Sequence, residues 1–316
     1  EPTRLATQAT GEENEDPLFF IPTETYSVIN PLDIFGPLET VLQEETIDGR
    51  PLAEVIFGEV RQYRGGGEVH MDLLFDGLTV DLPGRADPIS MGVTAGYDFF
   101  GGHAVYVEGF ARDNYCANSI RQLTDRETIR HVGDVGSFER WWESILDQLG
   151  LVADDLQAFI EDAVEITLQF SDVPFTLTQF YTLLGFPEYL AERAADDARA
   201  EADTPIEIDM WTLHSGATYA LTHFFTGREG SALDRYVRIA NDILFNPEAT
   251  IELVTRGYEE QAAAETTDDG QTGLVSQVAL AQLERVGDDV RKKAVQFERR
   301  AEILQDRLVE ASDRSP

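Results

Sequence analysis

The sequence predicts an α+β fold: an N-terminal antiparallel β-hairpin platform, then a mainly helical C-terminal half with a long C-terminal helix. Two observations predict it. Between Phe19 and Ala111 the apolar residues recur with the period of two that a half-buried strand requires, and beyond Cys116 the period changes to three and four. The two textures follow one another instead of alternating, which separates α+β from α/β architectures.

The opening EPTRLATQATGEENEDP, residues 1–17, has no apolar periodicity and reads as a polar acidic arm. A β-rich platform domain is expected over 18–135. In it LAEVIFGEVRQYR and EVHMDLLF read as strands joined by a glycine turn at 65–67, and ISMGVTAGYDFF and HAVYVEGFAR repeat the plan around Gly101 and Gly102. The stretch that follows, RDNYCANSIRQLTDRETIRHVG, is expected to place Asn118, Arg121 and Arg126 on a helix, where a spacing of five sets the two arginines about 140° apart.

A helical domain is expected over 136–262. In SFERWWESILDQLG the residues Phe138, Trp141, Trp142, Ile145, Leu146 and Leu149 fall on one helical face, with Ser137 placed as N-cap and Gly150 as C-cap. The helical texture continues through DDLQAFIEDAVEITLQF, TLTQFYTLLG, PEYLAERAADDARAEAD, DMWTLHSGATYALTHFFTG and SALDRYVRIANDILF, each opened by Asp, Thr, Pro or Ser in a capping position. A linker is expected at 263–273 and an amphipathic helix at 274–316. There Leu283, Val290, Phe297 and Leu304 recur every seven residues, a stripe that calls for a partner helix, so these four are expected at a homo-oligomer interface together with the terminal arm.

The chain has 316 residues, 42% of them hydrophobic and 10% aromatic, enough for a real core and too apolar for an acidic disordered chain. Its formal net charge is −35, and among its 24 basic residues only Lys292 and Lys293 are lysines. Carboxylates hold water and hydrated cations where the apolar stem of lysine is salted out, so this surface reads as halophilic and archaeal. Near 1 M salt the Debye length is about 3 Å, so the overall negative charge does not exclude an anionic partner. One cysteine and no run of eighteen apolar residues predict a cytoplasmic protein with no internal disulfide and no membrane partner.

No catalytic signature stands out. Cys116, His131 and Asn118 could in principle form a nucleophile, base and orienter, but a lone cysteine beside Tyr115 and Ile120 reads better as a small buried hydrophobe. The five histidines form no H-x-x-x-H pair, and the glycines at 65–67 are not followed by the G-K-S/T of a phosphate loop. No cofactor, metal or enzymatic activity is expected.

What stands against the trend is local positive charge. Arg112, Arg121, Arg126 and Arg130 crowd one stretch, and Arg61 and Arg64 flank Tyr63 at the first hairpin tip. With Tyr115, Asn118 and His131 they form a candidate nucleic-acid-binding set. The competing reading is that these arginines make ion pairs within the chain or between subunits.

The residues Arg112, Cys116, Asn118 and Ser119, then Arg130, His131 and Gly133, then Trp211, Leu213, Ser215, Gly216 and Thr218, resemble the motifs of the phage/plasmid-like "domain of unknown function 932" family, in the same order. The resemblance spans about Tyr26 to Leu244 and implies a mobile-element protein, with no catalytic residues to carry over. By fold-level analogy, hairpins followed by a helix suggest the strand-cradling platform of single-strand annealing proteins. The function expected is a non-enzymatic, self-assembling protein of a haloarchaeal mobile element that binds nucleic acid, single-stranded DNA in particular. The alternative is a structural homo-oligomer without nucleic acid.

Overall fold

The computed structural model describes residues 55–63, 67–82, 87–98, 100, 104–114, 117–124, 126–129, 138–227 and 231–264, short stretches within 29–51 and single positions from 285 to 307. The arm at 1–17, the linker core at 266–273 and residues Arg64, Tyr115, Cys116, Arg130, His131, Leu283, Phe297 and Leu304 lie outside them.

The architecture is α+β. Two short strands, β1 (Thr46–Ile47) and β2 (Arg50–Pro51), pair with each other. The main sheet comprises β3 (Val55–Tyr63), β4 (Glu68–Val80), β5 (Ile89–Asp98), β6 (Val105–Asp113), β7 (Ser119–Arg121) and β8 (Glu127–Ile129). It is antiparallel in the order β3-β4-β5-β6-β7, with β8 also on β6. Both expected hairpins are present: Tyr63 pairs with Glu68 across the first turn, and Gly96 pairs with Tyr106 across the second.

The apolar alternation read in the sequence forms one face of this sheet. Leu73 pairs with Val93, and Met71, Ala95 and Val107 form the neighbouring row. Across β4, β5 and β6 lies helix α1 (Phe138–Glu165). Its residues Trp142, Ile145, Leu149 and Leu156 join the sheet residues in one buried core that runs on through the helical half, across the boundary expected at 135/136. The indole N–H of Trp142 donates to the Ile34 carbonyl at 2.7 Å and ties the N-terminal segment to α1.

The helices α2 (Leu177–Leu184), α3 (Glu188–Glu201), α4 (Met210–Phe224), α5 (Ser231–Phe245) and α6 (Pro247–Ala264) follow. Local chemistry sets their ends. Thr176 and Gln179 form a reciprocal capping box on α2, Gly185 closes that helix at φ 103°, and the Asp209 carboxylate accepts from the Thr212 N–H at the start of α4. Among the described residues no helix is long and apolar enough to cross a membrane.

Three local expectations are corrected. Asn118, Arg121 and Arg126 do not share a helix: Ser119–Arg121 forms β7, Arg126 immediately precedes β8, and Ala117 before β7 and Gln122 after it take left-handed φ angles of 58° and 57°. Pairing with β6 buries Ile120 with half-buried neighbours on either side, the alternation of a strand, so tertiary pairing overrides local propensity. Gly150 does not end α1, because the apolar stripe resumes at Val152 and Leu156 and its burial outweighs the roughly 1 kcal/mol cost of one helical glycine. ITLQF is not helical either: Thr167–Gln169 is strand β9, paired with β10 (Glu207–Asp209).

Candidate functional site

The opposite face of the sheet is polar. Strand register places Glu59, Asp72, Thr94 and Glu108 in one row across β3 to β6, and Arg61, His70, Gly96 and Tyr106 in the next. Glu68, His70, Asp72, Thr94 and Glu108 are all buried there, so the structure has to supply them with partners.

Asp72 is the hub of the first row. The Arg61 guanidinium forks onto it, with Nη1 donating to Oδ2 at 2.8 Å and Nη2 to Oδ1 at 3.0 Å, while Nη1 also reaches Glu59 at 2.9 Å. The Thr94 hydroxyl donates to the same carboxylate, and Arg121 Nη2 approaches it at 3.5 Å. Burial pushes the Asp72 carboxyl upward. The bonds from Arg61 and Thr94 and the charges of Arg121 and Arg61 outweigh it, leaving the carboxyl below its ordinary value. Arg61 comes from one end of the strand order and Arg121 from the other, so the sheet must curl to bring both to β4. Register shifts in β3 between Phe57 and Glu59, and in β4 between Leu74 and Thr79, supply the bends.

Arg126 staples the sheet to α5. Its Nε and Nη2 donate to Glu108 at 2.7 and 3.1 Å, and its Nη1 and Nη2 donate to Asp234 at 3.0 and 3.1 Å. The guanidinium also lies 4.5 Å from the centroid of the Tyr106 ring. Burial raises the Glu108 carboxyl above its ordinary value despite Arg126. Burial by itself would favour loss of the Arg126 proton, and Glu108 and Asp234 together keep it charged.

Tyr106 Oη lies 2.8 Å from His70 Nδ1, and His70 Nε2 lies 3.4 Å from Glu68 Oε1. A neutral histidine protonated on Nε2 satisfies both contacts, accepting from the phenol and donating to the carboxylate. Gly96 sits between them on β5, and a Cβ there would come within 2.4 Å of the Tyr106 ring and 2.9 Å of His70 Nδ1. Glycine at this position is what lets the two side chains meet.

A cleft of about 220 Å³ opens between the polar face and the helices. Glu59, Arg61 and Tyr63 from β3 and Ser119 and Arg121 from β7 line one wall; Thr218, Leu221 and Thr222 from α4 line another. Leu233, Val237, Ala240 and Asn241 from α5, with Phe225 and Gly227, complete it. Asn241 Nδ2 donates to the Arg121 carbonyl at 2.8 Å, while its buried Oδ1 has no hydrogen-bond partner. The cleft therefore has the carboxylate-held guanidinium groups of Arg61 and Arg121 with Glu59 at one side, an apolar and aromatic lining at the other, and Asn241 between. Among the described residues no group of histidine, cysteine and carboxylate side chains is arranged to hold a metal ion.

Of the residues singled out in the sequence, the cleft gathers Arg61, Tyr63 and Arg121. Arg126 is engaged by two carboxylates, and Arg112 lies half-buried on β6 opposite Ser90 and Ser119, outside the cleft lining. Asn118 is 2% exposed, donates from Nδ2 to Ser215 on α4 and does not line the cleft. Val290 is 2% exposed and belongs to the buried core of its own chain. Sequence reasoning missed Asp72, Asn241, Thr218 and Thr222. Asp72 reads as an ordinary polar position of an alternating strand, and Asn241 as one polar residue of an amphipathic helix, so neither carries a local signal.

No family model, no curated protein and no solved structure matches the chain.

Proposed function

We propose that this is a halophilic protein of a mobile element that binds single-stranded DNA without acting on it chemically, through the cleft between β3, β7 and α5. The observation that carries the reading is the convergence of Arg61 and Arg121 on Asp72 beside Tyr63: two cationic forks and an aromatic ring share one concave surface. Asp72 holds the Arg61 fork in place before any ligand arrives, so less side-chain freedom is lost on binding.

The chemistry suits molar salt. Phosphate contacts each lose about 0.9 log units of affinity per tenfold rise in salt, whereas stacking on an aromatic side chain, worth roughly 1–3 kcal/mol per base, depends far less on it. A cleft with only two arginines and a mixed aromatic and apolar lining is matched to that balance. The ultraviolet 260/280 ratio of protein isolated in high salt tests the reading: co-purifying strands raise it and nuclease lowers it again. A protein-only spectrum, with no binding of added oligonucleotide, sends the account to its alternative, a structural assembly without nucleic acid.

A further inference from the structure

We propose that the cleft receives one unstacked nucleobase of the bound strand, read by Asn241, with the adjoining phosphate turned toward Arg61 and Arg121. This rests on the single-strand reading above and adds what part of the strand enters and which side chain reads it.

Size is the first argument. At about 220 Å³ the cleft is smaller than the roughly 300–1,000 Å³ of pockets that enclose a whole drug-sized ligand, so it has room for one base and not for a run of nucleotides. Polarity is the second. Leu221, Leu233, Val237 and Ala240 make the helical side apolar, Tyr63 and Phe225 add aromatic surface, and both guanidinium groups belong to the sheet side. A nucleotide has the same asymmetry, with a flat apolar face at one end and an anion at the other.

The third argument is the amide of Asn241. Its Nδ2 donates to the Arg121 carbonyl at 2.8 Å, which only the NH₂ end of the amide can do, so the orientation is fixed and Oδ1 is an acceptor. That oxygen has no donor and almost no exposed surface, so a ligand N–H meets it only once the cleft wall around Asn241 gives way. A buried acceptor left unmade is a standing cost, which a ligand N–H removes on entering. Every nucleobase edge carries an N–H, as an exocyclic amine or a ring imide, whereas the sugar–phosphate backbone of DNA carries none. The same Asn241 that reads the base also holds the backbone of Arg121, so base and phosphate recognition share one support.

The test compares a fluorescent single strand with its abasic counterpart of equal length, titrated in molar salt. The wild-type chain is expected to bind the base-bearing strand about five- to a hundredfold more tightly. Val237→Phe, which fills the cleft, is expected to bring the two affinities close together, with circular dichroism confirming the fold. Ala240→Val narrows the same wall more gently and reduces the ratio by a smaller factor, so it decides the matter if the phenylalanine variant does not fold. A nucleoside monophosphate should displace the strand where deoxyribose 5-phosphate does not. Equal affinity of the wild type for both strands, or a ratio unchanged in the filled variants, overturns the base inference and leaves strand binding standing. Binding of neither strand by the wild type overturns both.

Discussion

Asn118, at the entry to β7, donates from Nδ2 to both the backbone carbonyl and the hydroxyl of Ser215 on α4, at 3.2 Å each, and the following Ser119 N–H donates to Thr222 Oγ1 at 3.1 Å. Two segments 97 residues apart in sequence are thereby clamped together. The clamp sets the angle between β7 and α4, two of the elements that line the cleft. Asn118→Ala removes both bonds; the Ser215 carbonyl keeps the Thr218 hydroxyl as a donor at 3.0 Å, and we expect a loss of about 1–2 kcal/mol in denaturant unfolding. Asn118→Asp should cost more, since a buried carboxylate would face the same carbonyl. Unchanged midpoints for both variants would remove the clamp from the account.

The Arg126 staple predicts a non-additive pair. Arg126→Gln leaves the Glu108 carboxylate, 4% exposed, buried without its charged partner, at an expected cost of about 3 kcal/mol. Adding Glu108→Gln should restore much of that loss, because a neutral pair can be buried where a lone charge cannot. A double-mutant cycle read by urea unfolding checks this, and simple additivity would contradict it.

Two groups on the helices, one buried and one half-buried, give stability opposite slopes with pH. His214 is wholly buried with no partner on either ring nitrogen, and burial pushes its pKa down to about 3. The unfolded chain takes up the proton near pH 6.5 and the native chain does not, so stability is full above pH 6.5 and falls as the pH drops toward 3. His214→Met should flatten that acid limb and raise the melting temperature at pH 5. A melting curve at pH 5 no higher than wild type, with the acid limb intact, would show that the imidazole has a partner in solution.

Asp197 runs the other way. Burial, then the charge of Glu201, raises its carboxyl from 3.8 to about 7. Between those values the native chain holds a proton that the unfolded chain has released, so this group's contribution declines as the pH rises from about 4 to about 7 and is lost above it. Asp197 is half-solvated, so we expect Asp197→Asn to gain only about 1 kcal/mol at pH 8 and almost nothing at pH 4. Melting curves at the two pH values decide it.

Gly216 lies at a close approach of α3 and α4. A Cβ there would come within 2.4 Å of the Ala194 carbonyl and 2.9 Å of the Ala198 side chain. Backbone cannot yield as a flexible side chain does, so Gly216→Ala should destabilise by about 1–3 kcal/mol despite the better helix propensity of alanine. A stabilised variant in thermal unfolding would contradict the close approach.

These elements also show how far the sequence could be read. The hairpins were legible because their period of two and their glycine turns are local, and α1 because Trp142, Ile145 and Leu149 repeat at helical spacing. The segment from Ser119 to Arg121 was not, because three residues hold no period and only pairing with β6 makes them a strand. The cleft was hidden for the same reason on a larger scale. Arg61 and Arg121 are sixty residues apart and sit at opposite ends of the strand order, and only the curl of the sheet brings both to Asp72. The residue that would read the base, Asn241, is unremarkable in sequence, because its significance lies in a backbone carbonyl that another element presents to it.

The measurement that tests the central claim most directly is a fluorescence anisotropy titration of single-stranded DNA in molar salt, with the wild-type chain and with an Arg61→Gln, Arg121→Gln double variant. Each arginine lost removes hydrogen bonds to a charged group, so the account predicts saturable binding by the wild type and affinity roughly ten- to a hundredfold weaker in the variant, measured where circular dichroism shows it folded, since the buried Asp72 loses both cations and the melting temperature falls. Equal affinity of the two proteins, or no binding by the wild type, would contradict it.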